Sequence, residues 1–164
     1  MKKLLLDTNI YGEMVKDPDL IKIKVKLQKK ENLIYGIDLI RKELRNTSPK
    51  SKLLNKNLRI ALLSLYDEFV GKHTITLNDA IQGIAHKYYQ IYKQIGGSRP
   101  LHEIIHDFSI IACASYKQMD IVVTQDKVTM LGELPLRSYK LVNEILELRT
   151  PIFWSYDYFK RWLL

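Results

Sequence analysis

Two short runs in this chain, Leu4-Leu5-Leu6 and Ile121-Val122-Val123, are apolar without interruption. A strand with one face in water alternates apolar and polar residues. A strand that does not alternate is buried on both faces, as in a parallel sheet covered by helices. The chain between these runs carries a helical period. Leu58, Leu62, Leu65 and Phe69 recur at spacings of three and four, and the stretch from Lys50 to Ile95 reads as mostly helical until Gly96-Gly97 stops it. LIYGIDLIRKELRN reads as a short strand, a turn near Gly36 and a helix carrying Glu43, and a further helix is expected from about Pro100 to Tyr116. Strands alternating with helices imply an α/β fold around a mainly parallel sheet.

One segment is ambiguous. LIKIKVKL alternates and by period alone is a strand, but Asp17-Pro18-Asp19 before it looks like a helix start and KKEN follows as a long boundary, which favours helix. Beyond Leu131 the pattern weakens, although Ser155 is placed to cap a last short helix holding Tyr158, Phe159 and Trp162.

With 164 residues and 46% hydrophobic content, one compact domain over residues 1–164 is expected. No apolar run approaches the roughly 18 residues of a membrane span. MKKLLL imitates the start of a signal peptide, but Asp7 limits its apolar part to three leucines. The single cysteine, Cys113 in IIACAS, excludes an internal disulfide, suits a reducing cytoplasm and reads as a buried apolar side chain. The net charge of +8 is concentrated: twelve Lys and Arg stand against three acids between Lys22 and Arg59. Such a region is either a solvated face or an electrostatic footprint for a polyanion, with nucleic acid the obvious candidate.

The two buried runs end alike, one on Asp7 and the other on Asp126 in IVVTQD. In a parallel sheet both ends lie on one edge, where the carboxylates can converge. Asp107 lies three, four and seven positions from Ile104, Ile111 and Ala114, on or beside a buried stripe, where a lone carboxylate is costly unless paired, bonded or metal-bound. Glu43 is flanked by Leu39, Ile40 and Leu44. Four carboxylates in one pocket repel one another, and a hard divalent cation, Mg²⁺ or Mn²⁺, reverses that repulsion. The chemistry that follows is metal-assisted phosphodiester hydrolysis. Three of the acids, with Thr8 and Asn9, also have a plainer reading. Asp7 caps the next helix, Asp126 is a turn residue, Glu43 is an exposed ion pair, and Thr8 and Asn9 are capping groups.

LLLDTNI, Glu43 in LIRKELR, HDFSIIACA and VVTQDK, in that order and spacing from Leu4 to about Leu134, resemble PIN-domain ribonucleases, particularly the VapC-like toxins and their archaeal relatives. The resemblance implies a three-layer α/β/α sandwich and a Mg²⁺- or Mn²⁺-dependent endoribonuclease. It often implies a homodimer neutralised by an antitoxin protein. Asp7, Glu43, Asp107 and Asp126 fall on the family's acidic, metal-binding positions, Thr8 and Asn9 on the polar pair after the first acid, and Thr124 on the hydroxyl before the last. The chain departs from the pattern at Lys127-Val128-Thr129, where many relatives carry a further aspartate and a phenylalanine.

Three rival functions compete. HEIIH, from His102 to His106, matches the H-E-x-x-H pattern of zinc metalloproteases, but no glycine-histidine extension follows and the next glutamate is Glu133. A non-catalytic module could bind RNA or a protein through the basic region, but such a module has no need to keep four acids where phosphate must approach. An aspartyl-nucleophile phosphatase usually needs a second Asp where Asn9 stands. Tyr88, Tyr89 and Tyr92 suggest a base-stacking surface, although their helical spacing favours packing.

Overall fold

The computed structural model describes residues 1–29 and 33–164. Five strands form one parallel sheet: β1 (Lys3–Leu6), β2 (Leu33–Ile37), and, in this sheet alone, three further strands at Thr74–Ile75, Ile121–Val123 and Ile152–Trp154. The last three are numbered β5, β6 and β7, because a two-stranded hairpin of β3 (Lys52–Leu53) and β4 (Lys56–Asn57) intervenes. The sheet order is β5-β2-β1-β6-β7. Helices α1 (Thr8–Lys16), α2 (Leu20–Lys29), α3 (Asp38–Arg45), α4 (Leu58–Val70), α5 (Asp79–Gln94), α6 (Leu101–Tyr116), α7 (Glu133–Ile145) and α8 (Tyr156–Leu163) complete the α/β/α arrangement. Among the described residues no helix is long and apolar enough to cross a membrane.

The two apolar runs are central neighbours, and all six of their side chains are fully or almost fully buried. Leu4, Leu5 and Leu6 stand beside Ile121, Val122 and Val123, so both chains leave the sheet at one level. The Asp7 N–H bonds the Val123 carbonyl at 3.0 Å, which fixes where the two exits lie. LIKIKVKL is helical, as the cap argument favours. Ile23 and Leu27, four apart, are buried, while Ile21 and Val25 face solvent. The KKEN boundary falls mainly on residues 30–32, outside the described residues.

Asp17 does not cap by opening the helix at Pro18. The helix begins at Leu20, and the Asp17 carboxylate accepts bonds from the Asp19 N–H, the Tyr156 hydroxyl and the Lys160 ammonium, each at 2.8 Å. It therefore ties the α1–α2 turn to the last helix. Ser155 caps that helix as expected, its hydroxyl accepting from the Tyr158 N–H at 3.2 Å.

The expected helical stretch from Lys50 to Ile95 is corrected. A hairpin turns through Leu54 and Asn55, both at positive φ, before Asn57 caps α4. Gly71, at φ +50°, ends α4, strand β5 follows, and Asn78 caps α5. Gly36 is not a turn residue either. It lies inside β2, where a Cβ would come within 2.2 Å of the Tyr66 hydroxyl.

Candidate active site

The strand exits, α3 and α6 bring the sequence-predicted residues to one edge of the sheet. Asp7 is the N-cap of α1, so the plain capping reading holds, but its carboxylate does more. Oδ1 accepts the Thr8 N–H at 2.7 Å, while Oδ2 accepts the Asn9 amide at 2.9 Å and the Thr124 hydroxyl at 2.7 Å. Asn9 also accepts the Gln125 N–H at 3.2 Å, and Thr124 accepts the Asp126 N–H at 3.0 Å. DTN and TQD thus interlock through two side chains, Asn9 reaching Gln125 and Thr124 reaching Asp7.

Glu43 reaches this group from α3. Oε2 accepts the Thr8 hydroxyl, and Oε1 lies 3.3 Å from His106 Nδ1. Asp107 extends from α6 beside His106. Asp126 sits in a tight turn, Oδ1 accepting the Val128 N–H at 3.0 Å and the Thr129 N–H at 2.8 Å, while the Thr129 hydroxyl donates to Oδ2. Its turn role is therefore real too.

Burial, opposed by the Thr124 and Thr8 bonds and assisted by repulsion from Asp107 and Glu43, raises the Asp7 pKa to about 6. Burial likewise raises Asp107 to about 6; Thr129 opposes the rise, and Asp126 and Glu43 add to it. Asp126 goes the other way. Burial would raise its pKa, but the Thr129 hydroxyl and the N–H groups of Thr129, Val128 and Met130 outweigh it. One edge therefore holds two carboxylates that resist ionisation and one that favours it. Among the described residues none of the four acids is paired with a lysine or arginine.

The donor chemistry fits a hard cation: four carboxylates, no sulfur, among the described residues no lysine or arginine partner, and mutual repulsion that a divalent ion would relieve. The arrangement is open. Among the described residues no three His, Cys, Asp or Glu side chains are gathered closely enough to hold an ion alone.

Thr129 is the residue that sequence reasoning missed. It touches Asp126 and acts on Asp107, and it stands in the segment where the chain departs from the PIN pattern. The only signal was a hydroxyl three residues after an acid, which occurs in any turn.

HEIIH does not assemble a zinc site. His102 and Glu103 are exposed on α6, Glu103 lies 3.7 Å from Arg99, and His106 leans on Glu43. Tyr88 and Tyr92 are buried against Phe108, so the packing reading holds for them. Cys113 is buried, and burial pushes its thiol up to about 12, which makes it inert. Within the basic region, Lys22, Lys24 and Arg41 pair with Asp19, Glu68 and Asp67.

No protein-family model matches the chain, and no curated protein matches it in sequence. Solved structures do match in fold. VapBC2 from Rickettsia felis bound to a DNA fragment from their promoter aligns at TM-score 0.61 and 18% identity, covering 93% of this chain and 98% of that one. VapBC-1 from nontypeable Haemophilus influenzae aligns at TM-score 0.60 and 17% identity, over 94% and 98%. FitAcB from Neisseria gonorrhoeae aligns at TM-score 0.61 and 15% identity, over 94% and 98%. The architecture is the PIN-like three-layer sandwich, and the likeness in fold extends over nearly the whole chain.

Proposed function

We propose that this chain is a metal-dependent endoribonuclease that hydrolyses RNA phosphodiester bonds, and the toxin of a toxin–antitoxin pair. One observation carries the reading: Asp7, Glu43, Asp107 and Asp126, delivered by four different elements, lie near enough for repulsion among them to help raise Asp7 and Asp107, and among the described residues no lysine or arginine pairs with any of them. A structural cluster would be expected to recruit a lysine or arginine, whereas a cation site leaves that place to the ion.

In this reading Asp7, Asp107, Asp126 and Glu43 hold Mg²⁺ or Mn²⁺. The ion would supply an activated water and neutralise charge on the scissile phosphate. The other residues prepare that site. Asn9 and Thr124 fix both Asp7 and the segment carrying Asp126, Thr8 steadies Glu43, and Thr129 steadies Asp126. Glu43, with His106 at 3.3 Å, is positioned to take a proton from attacking water. Cations of the 22–59 region that make no ion pair among the described residues, Lys42 and Arg45 on α3 included, would hold the phosphate backbone.

The partner half of the reading has its own support. Val15, Leu20, Leu53, Leu54, Ala61 and Leu65 line a groove of about 340 Å³ edged by Lys24 and Lys56, and Leu54 is 90% exposed. An acidic amphipathic segment of an antitoxin suits that surface.

Cleavage of RNA by purified protein with Mg²⁺ or Mn²⁺ tests the catalytic half. Asp107→Asn lowers the rate more than about 100-fold while leaving the circular dichroism spectrum unchanged. An Asp107→Asn protein that cuts at the parent's rate would reject the assignment.

A further inference from the structure

A cavity of about 490 Å³ lies between α3, α5 and α6. Lys42 and His106 line it, and His106 Nδ1 also lies 3.3 Å from Glu43 Oε1, so the cavity borders the acidic group. Its floor is apolar, made by half-buried Leu39, Leu77 and Ile105. Its walls carry Asp38, Gln82, His86 and Ser109.

Some of these polar groups are already engaged. The Ser109 hydroxyl donates to the Ile105 carbonyl at 2.7 Å, and the Asp38 Oδ1 accepts the Leu39 N–H at 2.8 Å. His86 Nδ1 lies 2.8 Å from the Gln82 carbonyl, which places the proton on Nδ1 and leaves Nε2 for a ligand. Among the described residues the Lys42 ammonium and the Gln82 amide have no hydrogen-bond partner. A cation, an amide and an imidazole nitrogen thus surround an apolar floor, beside a place where phosphate chemistry is proposed.

A second cavity of about 210 Å³ shares Asp38 and Lys42 with the first and adds Arg41, Arg45 and Thr74. Arg41 is committed to Asp67, with two bonds of 2.9 Å, whereas Arg45 has no ion pair among the described residues. A cationic track therefore runs from the site rim past Lys42 to Arg45.

We propose that the larger cavity is a nucleotide subsite for single-stranded RNA, an inference that rests on the ribonuclease reading above. It takes the nucleotide adjoining the scissile phosphate. Lys42 and His106 hold the phosphate of that nucleotide, its base lies on Leu39, Leu77 and Ile105, and Gln82 and His86 meet the polar edge of the base. Arg45 meets the next phosphate along. A splayed single strand can offer an unstacked base in this way, and a paired base in a helix cannot.

The test uses Asp7→Asn protein, which binds RNA without consuming it, and a fluorescent five-nucleotide single-stranded RNA. Gln82 and His86 are exposed on α5, so Gln82→Ala and His86→Ala are compatible with folding, and thermal melts check it. Each substitution is expected to weaken binding about tenfold, near the lower range for losing one base contact. In the cleaving parent the same substitutions raise KM by a similar factor and relax the cut-site preference.

Affinities within twofold of the unsubstituted protein, with parent cleavage intact, would overturn the subsite while sparing the ribonuclease reading. Absent cleavage together with RNA binding that still depends on Gln82 and His86 would overturn the ribonuclease reading and keep the subsite. No RNA binding at all would overturn the subsite.

Discussion

Asp7 costs the cation-free protein stability at neutral pH, and that cost can be measured. Its pKa is about 6 in the folded chain against an ordinary value of 3.8, because burial disfavours the charge more than the Thr124 and Thr8 bonds favour it. A raised carboxylate binds its proton more tightly when folded. The penalty is therefore fully present above about pH 6 and disappears as the pH falls from 6 towards 4. Between pH 7 and pH 5 relief of Asp7 alone amounts to about 1.3 kcal/mol, or a Tm rise of roughly 3–5 °C for a chain of this size. Asp107 adds a contribution of the same sign, smaller than a second full share because part of each shift is their mutual repulsion. Asp7→Asn removes the Asp7 share and leaves that of Asp107. It also presents an amide N–H₂ to the Asn9 amide and the Thr124 hydroxyl, costing about 1–3 kcal/mol and offsetting the relief at pH 7. Differential scanning calorimetry at pH 7 and pH 5, with EDTA present, is the assay. The parent should gain more on acidification than Asp7→Asn. Saturating Mg²⁺ at pH 7 should stabilise the parent by about 2.7 kcal/mol at 100 times its dissociation constant and the variant much less. Equal pH responses, or equal Mg²⁺ stabilisation, would refute the reasoning.

Thr129→Val should reduce cleavage about 10- to 100-fold with little loss of fold, because Asp126 and Asp107 lose the hydroxyl between them; kinetics and a thermal melt separate the two effects. Glu103→Gln should leave RNA cleavage unchanged, since Glu103 pairs with Arg99 outside the acidic edge; a large loss would place Glu103 within the site. Asp17→Ala should cost about 1–3 kcal/mol in urea unfolding by releasing the α1–α2 turn from Tyr156 and Lys160 of α8. The Asp17 pKa is lowered, because the Lys160, Asp19 and Tyr156 bonds outweigh the effect of its burial, so its contribution is present at neutral pH and lost as the solution is made acid. Gly36→Ala should destabilise by about 1–3 kcal/mol, because the new methyl meets the buried Tyr66 ring.

The parts of this fold legible in the sequence were those with a single periodicity. Leu4–Leu6 and Ile121–Val123 are buried on both faces, so each reads as a strand alone, and their shared direction places Asp7 and Thr124 side by side. The elements that escaped are short or half-covered. Strand β5 has two residues, the β3–β4 hairpin depends on left-handed backbone at Leu54 and Asn55, and β7 pairs on one side only. Nothing in their composition separates them from loops. In the site, DTN and TQD were readable because polar residues after a buried strand are conspicuous. Thr129 was not, since its role depends on where the turn after Asp126 returns the chain beside α6. The plainer readings of Asp7 as a cap and Asp126 as a turn residue also proved correct. A carboxylate can hold its own backbone and still face a shared site.

The most direct measurement is cleavage of a mixed structured-RNA substrate by parent protein with Mg²⁺ or Mn²⁺, beside an EDTA-treated sample and Asp7→Asn protein. The account predicts cutting by the parent alone, with both controls silent and Asp7→Asn still folded. Cutting that survives EDTA, or cutting by Asp7→Asn at the parent's rate, would contradict it.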